Sequence, residues 1–477
     1  MAEHPTQPAA QERPRPPRPQ GAPARGTHLE LTVDSLAAEG DGVARHDGIA
    51  IFVPQAAPGD VVSAEIVETA SAFARARILQ VRRPGPERTS PRCPVYAECG
   101  GCSWQHLTYP TQLGWKRRIV VEALRRLGHV ADPEAVVADP LPADPPWRYR
   151  HKMAVPFAPA PGAAGAVAGF YAAKSHRIVP FEACAIQHPL LDRALGETRR
   201  LVADLGIRAY DTRTGEGDLR YLVGRVAQLS GEVLLCLVSA RAELPAGADL
   251  AAGLRAALPE CVGVVQNINA APGNAILGRT TRLLAGRDHL IERLDGLDFL
   301  VSAPSFFQVA PRQAGCLYRT AVAQAAMKAH EVAMDLYAGV GTLSLYLARV
   351  AQVVDAVEEV PEAVRDGRRN AGLNRCANVR FHLGPAESVV PALLRRGVRP
   401  DVALLDPPRR GAAASVLAAL ALAAPRRIVY VSCNPATLAR DVEHLAQAGY
   451  RLRAVQPVDM FPQTAHVECS ALLERGG

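Results

Sequence analysis

The C-terminal third of the chain alternates short apolar runs with longer helix-like stretches. VAMDLYA, VVDAVEE, VRFHLG, DVALLD and RIVYVS are rich in β-branched and aliphatic residues. Their apolar character is nearly continuous, which predicts strands buried on both faces of a parallel βαβ sheet. Upstream the pattern changes. Residues 29–84 read LELTVDSL, GDGVARHDG, IAIFVP, GDVVSAEIVE and ARARILQV. Here apolar and polar positions alternate between Gly-Asp turns, the spacing of a small OB-like β-barrel. Residues 85–303 mix strand-like and helix-like stretches, interrupted by glycine- and alanine-rich loops at 158–168 and 270–275. Their pattern defines no topology. Residues 1–28, rich in Pro, Ala and Arg, cannot bury a core and are expected to be disordered. The expected organisation is a tail (1–28), a barrel (29–84), a mixed α+β central domain (85–303) and an α/β, Rossmann-like domain (304–477).

With 48% apolar residues over 477 positions, the chain can build real cores. About three domains are expected at ~150 residues each. The net charge of +7 permits a polyanionic partner without requiring one. Arg75, Arg77, Arg82 and Arg83, on the last barrel strand, suit phosphate contact. They equally suit the guarding of an edge strand. The tail adds Arg13, Arg15, Arg18 and Arg25. The sequence shows neither a signal-peptide pattern nor a run of about 20 apolar residues. Ala412–Ala424 reads as a soluble helix. A cytoplasmic location without membrane contact is expected. Ten cysteines in an intracellular chain argue against a disulfide framework and point to metal ligation, catalysis or burial.

DLYAGVGT (335–342) follows a strand and precedes a helix. Its glycine turn lets backbone approach a ligand at the helix N-terminus. Glu358 ends the next strand, 17 residues beyond Gly341, where ribose hydroxyls need an acid. The dinucleotide pattern GxGxxG is incomplete, because Ser344 stands at the third position. An Asp opening the turn with a single GxG is more typical of S-adenosylmethionine sites. In LLDPPRRG (404–411), Asp406 closes another strand, and two prolines halt the chain there. Ligands of open α/β sheets bind at that edge.

Residues 431–441 read VSCNPATLARD, which places Cys433 just past a strand, with Asn434–Pro435 fixing the turn behind it. Most single cysteines are inert core residues. A thiol at the mouth of a methyl-donor cleft suggests chemistry instead. Carbon 5 of uracil is a poor nucleophile. Thiolate addition at carbon 6 makes the ring an enolate that attacks a methyl group. A base must then remove the carbon-5 proton. FPQTAHVECSALLE offers Glu468 on a late strand, with His466 as a rival two residues away on the same face.

DLYAGVGT, LLDPPRRG, VSCNPATLARD and FPQTAHVE, in this order, resemble the RNA uracil-C5 methyltransferases that make 5-methyluridine. SFFQVAP (305–311) resembles the entry to that family's catalytic domain, and residues 29–84 resemble its RNA-binding TRAM barrel. The resemblance implies S-adenosylmethionine contacts at Gln308, Tyr337, Thr342, Glu358 and Asp406. It makes Cys433 the nucleophile and Glu468 the base. One departure is Gly384–Pro385, where the family usually carries an Asp or Asn for the adenine amine.

CPVYAECGGC places Cys93, Cys99 and Cys102 at spacings of five and two residues. Cys184 in PFEACAIQHP is chosen as a fourth ligand. Spacing alone leaves zinc and iron–sulfur open. The resemblance implies a [4Fe–4S] cluster on these four cysteines, with a folding or RNA-positioning role. Cys236, Cys261, Cys316, Cys376 and Cys469 read as core or incidental thiols. By the same resemblance the expected substrate is 23S rRNA and the expected state a monomer, because tRNA T-loop members typically lack both barrel and cluster. A tRNA substrate, a non-catalytic RNA-binding module and an iron–sulfur redox enzyme are the alternatives.

Overall fold

Alternation along residues 28–83 closes a barrel. The structure, a computed structural model, describes residues 23–160 and 165–476. Most of the expected tail, with Arg13, Arg15 and Arg18, lies outside the described residues. Two compact units are formed, with the break after Ser90. In the first, β1 (His28–Leu36), β2 (Gly42–His46), β3 (Ile49–Val53), β4 (Val61–Thr69) and β5 (Phe73–Arg83) close in the order β1-β2-β3-β5-β4. Every second side chain points inward, so Leu31, Val33, Ile51, Val53, Val62, Ile66 and Ala74 share one core. Residues 23–27, read as tail, belong to the barrel: the Gly26 N–H donates to Ile66 O at 2.8 Å. Arg75 is paired with Asp41 at 2.7 Å and Arg77 with Glu65 at 2.6 Å. Arg82 and Arg83 remain exposed.

The second unit opens with a cysteine loop, α1 (Tyr109–Arg126) and α2 (Pro133–Val136). The strands β6 (Lys152–Pro159), β7 (Ala166–Tyr171) and β8 (Ile178–Pro180) follow. Then come α3 (Pro189–Asp204), β9 (Leu219–Val226), β10 (Val233–Ser239), α4 (Gly247–Ala257), β11 (Cys261–Ile268) and β12 (Thr280–Gly286). They build a sheet in the order β12-β11-β10-β9-β6-β7-β8. Every residue of β10 is buried, because α3 and α4 cover one face and the catalytic half covers the other. A hairpin, β13 (His289–Leu294) and β14 (Leu297–Ser302), then leads to α5 (Pro311–Ala325).

The remaining elements wind a second sheet. They are β15 (Val332–Leu336), α6 (Thr342–Ala348), β16 (Val353–Glu358), α7 (Pro361–Leu373), β17 (Val379–Leu383) and α8 (Ala386–Arg395). After these come β18 (Val402–Leu405), α9 (Ala414–Ala423), β19 (Arg427–Ser432), α10 (Pro435–Gln447), β20 (Tyr450–Val458) and β21 (Glu468–Arg475). The order is β17-β16-β15-β18-β19-β21-β20, with β15 to β19 parallel and β21 antiparallel to both neighbours. The five apolar runs become β15 to β19. The expected boundary at 303/304 is crossed by one core that joins Val223, Leu234 and Val265 to Phe307, Leu317 and Val429. Residues 137–141 also bridge to β20, at Val137–Val455 and Leu141–Val458. No helix among the described residues is long and apolar enough to cross a membrane.

Candidate functional site

Strand order reverses between β15 and β18, so a crevice opens at their carboxyl ends. Tyr337 leaves β15 with φ 65°, a left-handed conformation that strains a bulky residue. Gly339 (φ 56°) and Gly341 (φ 82°) complete the turn into α6. A Cβ on Gly341 would lie 2.7 Å from Phe381 Cζ, so both the dihedral and the space require glycine. Ser344, at the third position of the incomplete dinucleotide pattern, donates its hydroxyl to Asp335 Oδ2 at 2.5 Å. Burial pushes Asp335 up to about 7, with the carboxylates of Asp406 and Glu358 adding to the rise. Glu358 braces the turn: Oε2 accepts from the Gly339 N–H and Oε1 from the Val360 N–H, both at 2.8 Å. Its further lone pairs are available to hydroxyl donors.

Asp406 follows β18, and burial pushes it up to about 6. Asn434 caps α10: Oδ1 accepts from the Ala436 N–H at 3.1 Å, and Nδ2 donates to Arg409 O at 3.0 Å. Pro435 is the first helical residue, where its missing N–H costs nothing. The turn behind Cys433 is therefore a helix cap that is also tied to the Asp406–Arg409 loop. Cys433 is half-buried. Burial pushes its thiol up to about 11, Glu468 and Asp406 reinforce this, and Arg409 opposes it.

Glu468 opens β21, an internal strand between β19 and β20. Ser432 pairs with Cys469 at the end of the β19–β21 register, so Cys433 and Glu468 leave the same end of that pair. Glu468 is 3% exposed. Burial, then Asp406, hold its carboxyl well above the usual range, against Arg409. His466 has an exposed edge, yet its ring is largely desolvated. That desolvation and the positive charge of Arg409 push it down to about 4.

Gln308, Tyr337, Thr342, Glu358, Asp406, Cys433 and Glu468 all line one cavity of about 1000 Å³. Tyr318, Arg279, Phe306, Arg409 and His466 line it too. The sequence reading missed Tyr318, Arg279 and Phe306. Tyr318 lies on α5 and Arg279 on the loop between β11 and β12, so only packing delivers them. Phe306 stands in the recognised SFFQ run and is 68% exposed, the trace of an aromatic left free at a cavity mouth. Pro385 caps α8 and supplies no side-chain acceptor.

Cys93, Cys99, Cys102 and Cys184 line a second cavity, of about 320 Å³. Burial pushes Cys102 up to about 12 and Cys184 up to about 11, and it raises Cys99. Among the described residues, no three His, Cys, Asp or Glu side chains are placed to hold a single metal ion. The four free cysteines share the lining of this cavity, and four thiols are the kind of donor set that iron–sulfur clusters use.

The tRNA (Uracil-5-)-methyltransferase family matches residues 297–476, and the TRAM domain matches residues 24–79. An uncharacterized RNA methyltransferase of Halalkalibacterium halodurans is 41% identical over 94% of this chain and 96% of its own. One from Gloeobacter violaceus is 42% identical over 95% and 98%. Among solved structures, the Pyrococcus abyssi tRNA (uracil-54, C5)-methyltransferase in complex with S-adenosyl-L-homocysteine shares 26% identity and a TM-score of 0.74. That alignment covers 93% of this chain and 99% of the other. The glycine turn, the strand-end acid and the switch-point crevice thus belong to a fold shared with these proteins, and the chain is a member of the S-adenosylmethionine-dependent RNA uracil-5-methyltransferase family, with an N-terminal TRAM domain.

Proposed function

We propose that the chain methylates carbon 5 of a uridine in 23S rRNA through a covalent adduct on Cys433. The carrying observation is that Asp406, Cys433 and Glu468, from three strand ends, line one cavity, with Cys433 and Glu468 each adjoining the Ser432–Cys469 pair that ends the β19–β21 register. S-adenosylmethionine, when bound, supplies an electrophilic methyl group and a sulfonium charge. Gln308, Tyr337, Thr342, Glu358 and Asp406 would hold it, the Asp406 carboxylate supplying a negative charge that suits a sulfonium. Arg409 favours loss of the Cys433 proton to solvent. The Cys433 sulfur then bonds to carbon 6 of the uracil, and the ring electrons move onto the carbonyl as an enolate. Carbon 5 takes the methyl group and the neutral thioether leaves. Glu468 acts as its carboxylate, after releasing its own proton to solvent, with Arg409 favouring that form, and removes the carbon-5 proton. The carbon 6–sulfur bond breaks as the double bond re-forms.

The four cysteines are proposed to hold a [4Fe–4S] cluster, supported by their sharing the lining of one cavity. No step of methyl transfer draws on it. The barrel, with exposed Arg82 and Arg83, is proposed to contact RNA phosphates. The enzyme is proposed to act as a cytoplasmic monomer.

A tRNA substrate is the second reading, and a specific observation favours it. The similar Pyrococcus abyssi structure is a tRNA enzyme, and 93% coverage leaves too few residues to omit the barrel. The barrel therefore does not by itself mark a ribosomal substrate. Incubation with S-adenosylmethionine and separate 23S rRNA and tRNA transcripts, then nuclease digestion and mass spectrometry, decides between them. Product in tRNA alone overturns the rRNA assignment and keeps the chemistry. For the chemistry, Cys433→Ala is expected to abolish turnover while cofactor binding stays near normal. Glu468→Gln is expected to trap a protein–RNA adduct on a denaturing gel. Wild-type turnover by Cys433→Ala would end the covalent mechanism.

A further inference from the structure

The segment Asp459–Ala465, which delivers the chain from β20 to Glu468, forms no helix or strand. Yet Asp459 and Met460 are fully buried, and Gln463, Thr464 and Ala465 are nearly so. A buried irregular segment must satisfy its backbone polar groups with outside partners. Those partners come from α1, the cysteine loop, α5 and the stretch 141–149 that holds Leu141 and Tyr149, all of them far away in sequence. From α1, Lys116 Nζ donates to Asp459 Oδ1 at 2.5 Å and to Phe461 O at 3.0 Å. Gln112 accepts from the Gln463 N–H at 2.9 Å and donates to Gln463 Oε1 at 3.0 Å. From the cysteine loop, the Ser103 and Trp104 N–H groups donate to Gln463 O at 3.1 and 2.9 Å. Ser103 Oγ accepts from the Ala465 N–H at 3.1 Å. From α5, Gln313 Nε2 donates to Asp459 O at 3.1 Å. Ser103 is the residue after Cys102, and its own carbonyl accepts from Tyr96 OH at 2.8 Å. The Cys93 N–H donates to Gln105 Oε1 at 3.0 Å. The loop that rings the thiol cavity is thus the loop that grips the segment before Glu468.

We propose that α1 and the cysteine loop form a positioning device for the base: Ser103, Trp104 and Gln112 hold the Asp459–Ala465 segment so that Glu468 meets the substrate carbon opposite Cys433. Whatever fixes Cys102 also fixes Ser103, so the state of the cysteine cavity is read out at the base. This rests on the reading of Glu468 as the base and assigns Ser103 and Gln112 as positioning residues. Loosening the grip should largely spare cofactor binding, because Ser103, Trp104 and Gln112 do not line the cofactor crevice and, of the segment they hold, only Phe461 does. It should also spare addition by Cys433, which α10 holds separately. The step that suffers is proton removal and release.

The test compares the parent, Ser103→Ala/Gln112→Leu, Cys102→Ser and Glu468→Gln with 23S rRNA and tRNA transcripts and S-adenosylmethionine. Three readouts are taken: cofactor affinity by calorimetry, methyl incorporation, and the protein–RNA adduct on a denaturing gel. For Ser103→Ala/Gln112→Leu and Cys102→Ser we expect near-parental cofactor affinity, a methylated adduct that accumulates, and release slowed roughly tenfold to a hundredfold, the scale of a ~1 Å misplacement. Ser103→Thr, which keeps the hydroxyl, should release like the parent. If cofactor affinity and adduct formation fall together, or if release is unchanged, the positioning role is overturned. If Glu468→Gln itself gathers no adduct, the assignment of the base has failed instead. Should the double variant not fold, Ser103→Ala alone decides.

Discussion

Lys116→Met probes the one ion pair in the Asp459 segment that is fully buried. Both side chains are 0% exposed, and Nζ meets Oδ1 at 2.5 Å. Burial pulls Lys116 below the lysine range despite the attraction of Asp459, so the pair exists at a desolvation cost. Removing the lysine leaves the Asp459 carboxylate buried, with Tyr109 OH at 2.8 Å and the Phe461 N–H at 3.2 Å as its remaining donors. An uncompensated buried charge costs roughly 3–5 kcal/mol. Lys116→Met/Asp459→Leu removes the stranded charge and adds apolar volume. It forfeits the Tyr109 and Phe461 bonds, at about 1 kcal/mol each. The double variant should therefore be more stable than Lys116→Met alone. Urea unfolding followed by tryptophan fluorescence suits the measurement, because Trp104, Trp115 and Trp147 all lie in the second unit and Trp104 is fully buried. A cost for Lys116→Met below ~1 kcal/mol, the range of exposed pairs, would refute the reasoning.

Further outcomes follow from the crevice. Asp406, at about 6, is anionic above that pH and attracts a cation, and it loses the attraction as pH falls through 6. Affinity for S-adenosylmethionine should therefore weaken by about tenfold at pH 5 relative to the plateau above pH 7, and Asp406→Asn should flatten the profile; a flat parental profile by calorimetry contradicts the role. Gly341→Ala should strain the left-handed turn by about 1–2 kcal/mol and displace Phe381, lowering cofactor affinity. Gly372→Ala, whose Cβ meets no atom within 4 Å, is the neutral control, and equal effects of the two substitutions would discount the glycine-turn argument.

Periodicity alone reached the barrel and the five parallel strands, because each is a local pattern of burial. DLYAGVGT and VSCNPATLARD were equally legible, since turn, cap and strand-end chemistry is written in adjacent residues. What sequence could not supply is any relation between distant residues. Glu468 reads only as an acid on a late strand until β21 inserts between β19 and β20, buries it and brings it into the cavity that Cys433 lines. Arg75 and Arg77 suit phosphate contact and the guarding of an edge strand equally until the barrel closes and pairs them with Asp41 and Glu65. Residues 103–143, counted with the central domain, in fact serve the catalytic half through Gln112, Lys116 and the bridges to β20. Their polar side chains follow no period, because they answer backbone groups more than 300 positions away, a demand that exists only once the chain has folded.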